Sequence, residues 1–312
     1  MKLSKPLAIT IICLTSLIFF PVSASSGDRD GSEDDNTSEQ AKVIVLNDVQ
    51  PQDHTFHDAE DQDWVKFYGL SGQEYTITAA AGKLVSGCSI VLDLYDTDGT
   101  TLLKSVKTMF GEPARLDFWT CPADGIYYVN VRHESPESCD GNTEYDLTAF
   151  QDVGPVPVRF EGIVADAFSE SPLEDVRIRT SYDVSALSLP DDGHYLMFHD
   201  TGDYNLTAAF AGYLTFLAQV IVVATETRDA TSAKLMIVTE SGSADWDGII
   251  RLIPVKCDIS GDGSITLADT IPGLRILVGT EPSPVIRAVS GDENIGLKEI
   301  IFILQELSGQ NG

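Results

Sequence analysis

The twelve residues from Asp258 to Asp269, DISGDGSITLAD, are the feature that most limits what this chain can fold into. A twelve-residue calcium loop needs oxygen ligands at positions 1, 3, 5, 7, 9 and 12, and a glycine at position 6 for its sharp turn. Gly263 occupies position 6, and an oxygen donor is present at every ligand position. The sequence therefore predicts a Ca²⁺ site whose ligands are Asp258, Ser260, Asp262, Ser264 (through its carbonyl), Thr266 and Asp269.

A weaker copy of this loop follows about 30 residues later, in the segment AVSGDENIGLKE. Position 1 of this copy is Ala288 and position 6 is Glu293. Because calcium affinity follows the number of charged ligands, we expect the second loop to bind more weakly than the first. Its predicted ligands are Ser290, Asp292, Asn294 and Glu299.

Apolar residues recur at helical spacing after each loop, which predicts one helix ending at Gly279 and another ending at Gly309. Proline residues precede both loops and exclude the entering helix of an ordinary EF-hand. A duplicated loop and helix of this kind resembles the dockerin family over about the last 58 residues. The resemblance implies two calcium loops, two antiparallel helices and a cohesin-like or other cell-surface partner. That partner would be contacted by residues at loop positions 10 and 11, which are Leu267, Ala268, Leu297 and Lys298.

The start of the chain has the pattern of a secretory signal peptide. Lys2 and Lys5 precede an apolar run at 7–20, and small residues surround a cleavage position after Ala24. We therefore expect residues 1–24 to be removed and the protein to be secreted, to an extracellular or periplasmic location. No later apolar run is long enough to span a membrane.

The charge of the chain excludes one class of partner. Without Lys2 and Lys5 the chain has 18 basic and 48 acidic residues, a formal charge of -30. Such a surface repels phosphate backbones and attracts divalent cations. We expect no binding to nucleic acid.

Residues 25–41 form an acidic leader that lacks the apolar residues needed for a core, so we expect it to be disordered. Residues 42–152 contain short alternating runs separated by turn residues, which predict a β-sandwich with a tight hairpin at Asp98-Gly99. The segments DWVKF, LDLYD, PADGIYYV and YDL resemble the pre-peptidase C-terminal family. The resemblance implies a jelly-roll-like module of secreted proteins, some members of which bind Ca²⁺ or extracellular polymers.

Residues 155–238 form a second β-rich unit with glycines between its alternating runs. Positions such as Gly162, Gly193, Tyr195, Gly212 and Tyr213 resemble the carboxypeptidase regulatory-like family, which implies a small β-sandwich that serves as a spacer or interaction surface. Residues 239–254 are expected to be a linker to the calcium unit at 255–312. The predicted fold class is therefore mainly β and multi-domain, with two β-sandwiches followed by a small α-helical unit.

The cysteines of the exported chain are predicted to form one disulfide within the first sandwich. Three pairings of the four cysteines are possible from sequence alone. Our preference is a single bridge among Cys88, Cys121 and Cys139, with the remaining thiol free or paired with Cys257.

The sequence shows no convincing catalytic constellation, so we expect a protein that is not an enzyme. His54 and His57 lie in an acidic, turn-like stretch and are predicted to be solvated rather than metal ligands. Trp64 and Trp119 lie within strand patterns and are predicted to be core residues, whereas Trp246 lies in the expected linker and is the better candidate for an exposed aromatic side chain.

Two functions remain open at this point. The first is an exported, non-catalytic modular protein whose calcium-binding unit mediates docking or cell-surface assembly. The second is an accessory protein of extracellular polysaccharide or protein degradation, whose first sandwich binds carbohydrate or another polymer. Retention on insoluble polymers would separate the two.

Overall fold

A computed structural model describes residues 35–56, 60–81, 89–108, 112–134, 143–151, 158–225, 233–239, 241–255, 257–259, 265–278 and 296–308. The predicted signal peptide at 1–24 lies outside these residues and stays a prediction. Within the described part, the fold is mainly β, with several sheets and two helices near the end of the chain, as the sequence predicts.

The first sandwich is built from two sheets that face each other across one apolar core. The described strands of one sheet have the order β1-β3-β8-β5-β6, and those of the other β2-β9-β4-β7. The strands are β1 (Lys42–Val43), β2 (Gln52–Phe56), β3 (Gln62–Gly69), β4 (Glu74–Ala81), β5 (Ile90–Tyr95), β6 (Leu102–Lys107), β7 (Ala114–Thr120), β8 (Gly125–His133) and β9 (Thr143–Gln151).

Alternation along the strands decides which side chains fill this core. On β8, Tyr127, Val129 and Val131 point inward and are buried, as expected for residues two apart in a strand. Trp64 and Trp119 are also buried, as predicted, Trp119 within this core and Trp64 on the other face of β3, against Tyr95.

The hairpin between β5 and β6 turns at Asp98-Gly99, as predicted. Gly99 has a φ of 66°, a conformation that glycine adopts at low cost. Asp98 accepts hydrogen bonds from the side chain of Thr101 and the backbone N–H groups of Thr101 and Thr100, which lower its pKa to about 2.

The second sandwich follows the first and has a separate core, formed by residues such as Phe160, Ile178, Tyr195 and Leu206. Its described sheets have the orders β13-β10-β18 and β12-β11-β14-β15-β16-β17. The strands are β10 (Val158–Asp166), β11 (Arg177–Thr180), β12 (Ser185–Leu187), β13 (His194–His199), β14 (Gly202–Ala209), β15 (Phe216–Ala224), β16 (Ala233–Thr239), β17 (Gly242–Trp246) and β18 (Ile250–Leu252).

The expected linker at 239–254 is instead part of this sandwich, because it contains β17 and β18. Strand β18 pairs in parallel with β10 and places Ile250 and Leu252 in the core. The close approach requires glycine, since a Cβ on Gly162 would lie 2.1 Å from the carbonyl oxygen of Gly248. The hydroxyl of Tyr195 donates to the same oxygen at 2.9 Å. The prediction of a linker was therefore wrong for these strands.

The end of the acidic leader also differs from the expectation of disorder. Residues Ser38–Gln40 form a 3₁₀ turn, and Asp35 and Ala41 are buried. The backbone N–H of Trp64 donates to the carbonyl oxygen of Asp35 at 3.0 Å. The leader therefore joins the first sandwich from Asp35 onward.

The two sandwiches touch through a small mixed interface. Tyr68 and Leu70 of the first sandwich pack with Leu187 of the second. Lys66 Nζ lies 2.6 Å from Asp175 Oδ2. Because the contact combines an apolar cluster with a partly buried ion pair, it fixes the orientation of one sandwich on the other.

Two helices, α1 (Leu267–Leu277) and α2 (Leu297–Ser308), complete the described chain and pack against each other. Among the described residues, no helix combines the length and apolar character needed to cross a bilayer.

We expect Ile250→Ala to lower the free energy of unfolding of the second sandwich by about 2–5 kcal/mol, because it removes a fully buried side chain from the core. Urea unfolding followed by circular dichroism measures this change. The control is Arg251→Ala, at the exposed position between Ile250 and Leu252, which we expect to change stability by less than about 0.5 kcal/mol. Equal effects of the two substitutions would contradict the placement of β18.

Candidate cation sites

Four of the predicted calcium ligands lie within the described residues, namely Asp258, Thr266, Asp269 and Glu299. The carboxylates of Asp258, Asp269 and Glu299 are each at most 3% exposed. An ionised carboxylate can be buried only when hydrogen bonds or a cation compensate its charge. The remaining predicted ligands, Ser260, Asp262, Ser264, Ser290, Asp292 and Asn294, lie outside the described residues.

The two helices begin with the same local geometry. Asp269 Oδ2 accepts a hydrogen bond from the backbone N–H of Thr266 at 2.7 Å, and the side chain of Thr266 caps α1 in return. Glu299 Oε2 accepts from the backbone N–H of Gly296 at 2.8 Å. Each carboxylate thus reaches back three residues to the start of its helix, where the free N–H groups favour negative charge.

The side chains predicted to contact a partner lie just inside these helix starts. All four are exposed, while the next residue in each repeat, Asp269 or Glu299, is buried. The two copies of the repeat therefore match in exposure as well as in sequence, with two exposed residues followed by one buried carboxylate at the start of each helix. These four residues are Leu267, Ala268, Leu297 and Lys298.

A second acidic cluster lies at the edge of the first sandwich and was missed by the sequence analysis. It consists of Asp35 before the 3₁₀ turn, His54 on β2 and Asp63 on β3. Each residue is at most 3% exposed. One ligand atom from each lies within 4.8 Å of the others. The prediction that His54 is solvated was therefore wrong, while His57 lies outside the described residues.

Tyr145 on β9 organises this cluster. It lies directly opposite His54 in the β2–β9 pairing, and the two rings stack with centroids 5.3 Å apart. Its hydroxyl donates to Asp63 Oδ2 at 2.5 Å. Burial, reinforced by the charges of Asp63, Asp35 and Asp61, raises the pKa of Tyr145 well above its usual value. Tyr145 is thus a neutral donor that faces concentrated negative charge.

The donor set of Asp35, His54 and Asp63 fits a divalent cation. Two ligands on opposite sides of Ca²⁺ lie about 4.6–5.2 Å apart, so atoms within 4.8 Å of one another are close enough to share one ion. Carboxylate oxygens suit Ca²⁺ or Mn²⁺, and the imidazole nitrogen adds a ligand that Zn²⁺ and other transition metals prefer. A cation bound here would connect the leader, through Asp35, to one strand of each sheet, β2 through His54 and β3 through Asp63.

Sequence reasoning missed this cluster because its members come from three separate segments. The only local signal was the pair of acidic residues just before Trp64 in sequence, Asp61 and Asp63. The stretch around His54 contains many polar residues and therefore favoured a solvated turn.

Cys121 is a buried thiol in the described structure. Its Sγ donates to the carbonyl oxygen of Ala123 at 3.1 Å, and burial raises its pKa. Both features favour the unreactive, protonated form. Cys88 and Cys139, the other two candidates for the predicted disulfide, lie outside the described residues.

Comparison with known proteins finds similar structures but no related family. No protein-family model matches the chain, and no curated protein matches it. The chain is similar to the pre-peptidase C-terminal domain of a collagenase from Bacillus anthracis, with 17% identity and a TM-score of 0.28 over 35% of this chain and 93% of the other. It is also similar to the pilus adhesin RrgA from Streptococcus pneumoniae, with 13% identity and a TM-score of 0.20.

The similarity to the adhesin covers 59% of this chain but only 33% of the adhesin. The major pilin subunit BcpA of Bacillus cereus is 10% identical, with a TM-score of 0.17 over 70% of this chain and 68% of the pilin. At such low identities and TM-scores we draw no functional conclusion from any of these similarities.

We expect Ca²⁺, Mn²⁺ or Zn²⁺ to raise the melting temperature of the first sandwich through the Asp35–His54–Asp63 cluster. A ligand at one hundred times its Kd stabilises by about 2.7 kcal/mol. Calorimetric melting with ion and with EDTA measures the shift, in a chain carrying Asp258→Ala so that the C-terminal loop contributes least. Asp63→Asn should remove the shift.

The matched control for this experiment is Asp53→Asn, which changes an exposed carboxylate next to His54 on the same strand. It should retain the full shift. If Asp63→Asn also retains it, the ion binds elsewhere and the cluster is not a cation site.

We expect the predicted disulfide to join Cys88 and Cys139, with Cys121 as a thiol. Cys88 precedes Ser89, whose carbonyl oxygen accepts a hydrogen bond from the N–H of Glu134 at 2.8 Å, and Cys139 follows five residues after Glu134. Mass spectrometry of a non-reducing digest tests the pairing. A peptide linking Cys121 to another cysteine would contradict it.

Proposed function

We propose that this chain is an exported, non-catalytic binding protein whose C-terminal loop–helix pair docks to a protein partner when Ca²⁺ is bound. A cohesin-like protein of the cell surface is the first partner to test. The observation that carries the proposal is the repeated start of α1 and α2, where a buried carboxylate directly follows two exposed candidate contact residues in both copies.

Calcium binding is supported by the position of the buried carboxylates. Asp258 and Asp269 occupy the first and last ligand positions of the first loop. Two negative charges at the ends of one short loop repel each other, and a cation between them converts that repulsion into attraction. Of the three buried carboxylates, Asp258, Asp269 and Glu299, only Glu299 belongs to the second loop.

Docking is supported by the apolar side chains that the two helices leave exposed. Beyond the helix starts, Ile271 and Leu274 on α1 are exposed, and so are Ile301 and Leu304 on α2. A group of exposed apolar side chains of this size is typical of an interaction surface. Gly273 on α1 packs against Ile259 and Ile300, so the inward side of the pair is already occupied.

A binding role rather than catalysis is supported by the burial of three of the five histidines. His54 and His133 lie inside the first sandwich among aromatic rings, and His199 is buried in the second. Imidazoles in these positions stabilise the packing and are not accessible to a substrate.

The alternative function, an accessory protein of extracellular polymer degradation, assigned polymer binding to the first sandwich. Trp64 and Trp119 are both buried, so neither presents its ring to a polymer chain. This observation favours the docking function over the alternative for the first sandwich.

We expect isothermal titration calorimetry of the exported chain, carrying Asp63→Asn so that the cluster of the first sandwich does not contribute, to show a tighter Ca²⁺ site that Asp258→Ala removes, because position 1 of the first loop then lacks its carboxylate. The control is Glu299→Gln, whose amide oxygen can still accept the hydrogen bond from Gly296. It should leave the tighter Ca²⁺ site unchanged. Equal losses in the two variants would contradict our ranking of the loops.

Docking is then tested by surface plasmon resonance on a panel of immobilised cohesins with Ca²⁺ and with EDTA. We expect binding that requires Ca²⁺ and that Leu267→Asp weakens by about tenfold or more. Ca²⁺ binding without cohesin binding would refute the partner while leaving the calcium site in place.

A further inference from the structure

The second sandwich contains a cleft between its two sheets, where β10 faces β16 and β17. Its volume is about 290 Å³. The residues that line it include Trp246, Arg159, Glu161, Lys234 and Asp247. Neither the calcium loops nor the docking surface uses this cleft, so it forms a separate candidate site.

Trp246 gives the cleft a rigid aromatic wall. It is the last residue of β17 and lies opposite Leu235 in the pairing of β17 with β16. Its ring also stacks on Phe216, at a centroid distance of 6.3 Å and an angle of 17° between planes. Because both the backbone and the ring are held, the half-buried indole keeps one orientation in the cleft.

The polar side chains of the cleft form a balanced set of charges. Arg159 Nη2 donates to Glu161 Oε2 at 2.7 Å, and His194 Nε2 lies 3.5 Å from the same oxygen. Lys234 Nζ lies 2.7 Å from Asp245 Oδ1. Each cationic side chain therefore already has a carboxylate beside it.

This arrangement discriminates among classes of ligand. An anion such as phosphate would have to compete with the carboxylates for Arg159 and Lys234, on a chain whose net charge is strongly negative. A purely apolar ligand would have to desolvate those charged groups without replacing their hydrogen bonds. A neutral molecule with one apolar face and many hydroxyl groups meets neither difficulty.

A pyranose ring is such a molecule, because its C–H groups can lie on an aromatic ring while its hydroxyls bond to charged side chains. Half-buried tryptophan combines apolar area with a polar edge and suits this contact. The cleft volume is close to the lower limit of small-ligand sites, about 300–1,000 Å³, which corresponds to a single ring rather than to a long chain segment.

We propose that the Trp246 cleft binds one neutral pyranose unit, with the ring stacked on Trp246 and its hydroxyls bonded to Arg159 and Glu161. This site is independent of the proposed docking function and requires no Ca²⁺. It assigns carbohydrate binding to the second sandwich, where the sequence analysis considered the first.

The test is a titration of the full exported chain with neutral methyl glycosides of glucose, galactose, mannose, xylose and N-acetylglucosamine, followed by NMR of the indole N–H groups. We expect at least one glycoside to shift the Trp246 signal, which Trp246→Phe identifies by its loss. Concentrations of about 100 mM are sufficient, since they saturate a site with a Kd in the millimolar range.

Variants then test the role of each group by glycoside affinity measured with calorimetry. Trp246→Ala should weaken binding by about tenfold or more, and Glu161→Gln should weaken it while leaving the ring in place. The matched control is Phe168→Ala, which removes an exposed aromatic ring elsewhere in the same sandwich and should not change affinity. Circular dichroism confirms that each variant folds.

Three results would overturn the proposal. The first is the absence of any shift of the Trp246 signal across the whole panel. The second is unchanged affinity in a folded Trp246→Ala variant. The third is tighter binding of methyl glucuronide than of methyl glucoside, which would show that the cleft selects an anion.

Discussion

The burial of ionised carboxylates is the constraint on which both ends of this protein depend. A carboxylate loses several kcal/mol of hydration when it leaves water, so each buried one requires donors or a cation nearby. Backbone N–H groups at the helix starts supply part of this compensation for Asp269 and Glu299. The hydroxyl of Tyr145 supplies part of it for Asp63. A bound cation would complete the compensation of each buried negative charge. The strongly negative net charge of the chain raises the concentration of cations around the protein.

The middle of the chain depends on close packing rather than on charge. Gly162 and Gly248 let two backbones approach so that β18 can pair with β10 and close the second core. The second sandwich contacts the first through Leu187, which packs against Tyr68 and Leu70. These contacts connect the sandwich that contains the Asp35 cluster to the sandwich that contains the Trp246 cleft.

What could be predicted from the sequence depends on whether the signal is local. The hairpin at Asp98-Gly99, the buried tryptophans and the presence of two C-terminal helices follow from residues a few positions apart, and the structure agrees with each. Strand β18 is three residues long and follows a glycine, so it has too little alternation to be recognised. The cluster of Asp35, His54 and Asp63 depends on two sheets meeting at an edge, which no single segment encodes.

The two proposed binding sites differ in strength for a physical reason, and this difference bears on how they would act together. A single sugar ring in an open cleft buries little surface, so its affinity stays weak by itself. A docking surface with several apolar anchors can hold a partner far more tightly. When docking places the Trp246 cleft beside a carbohydrate surface, sugar binding in the cleft becomes an intramolecular event. The high effective concentration of the sugar then raises the overall affinity of the protein for that surface. The gain arises only where the spacing of the two targets matches the spacing of the two sites, so the protein would select a surface by the spacing of its targets.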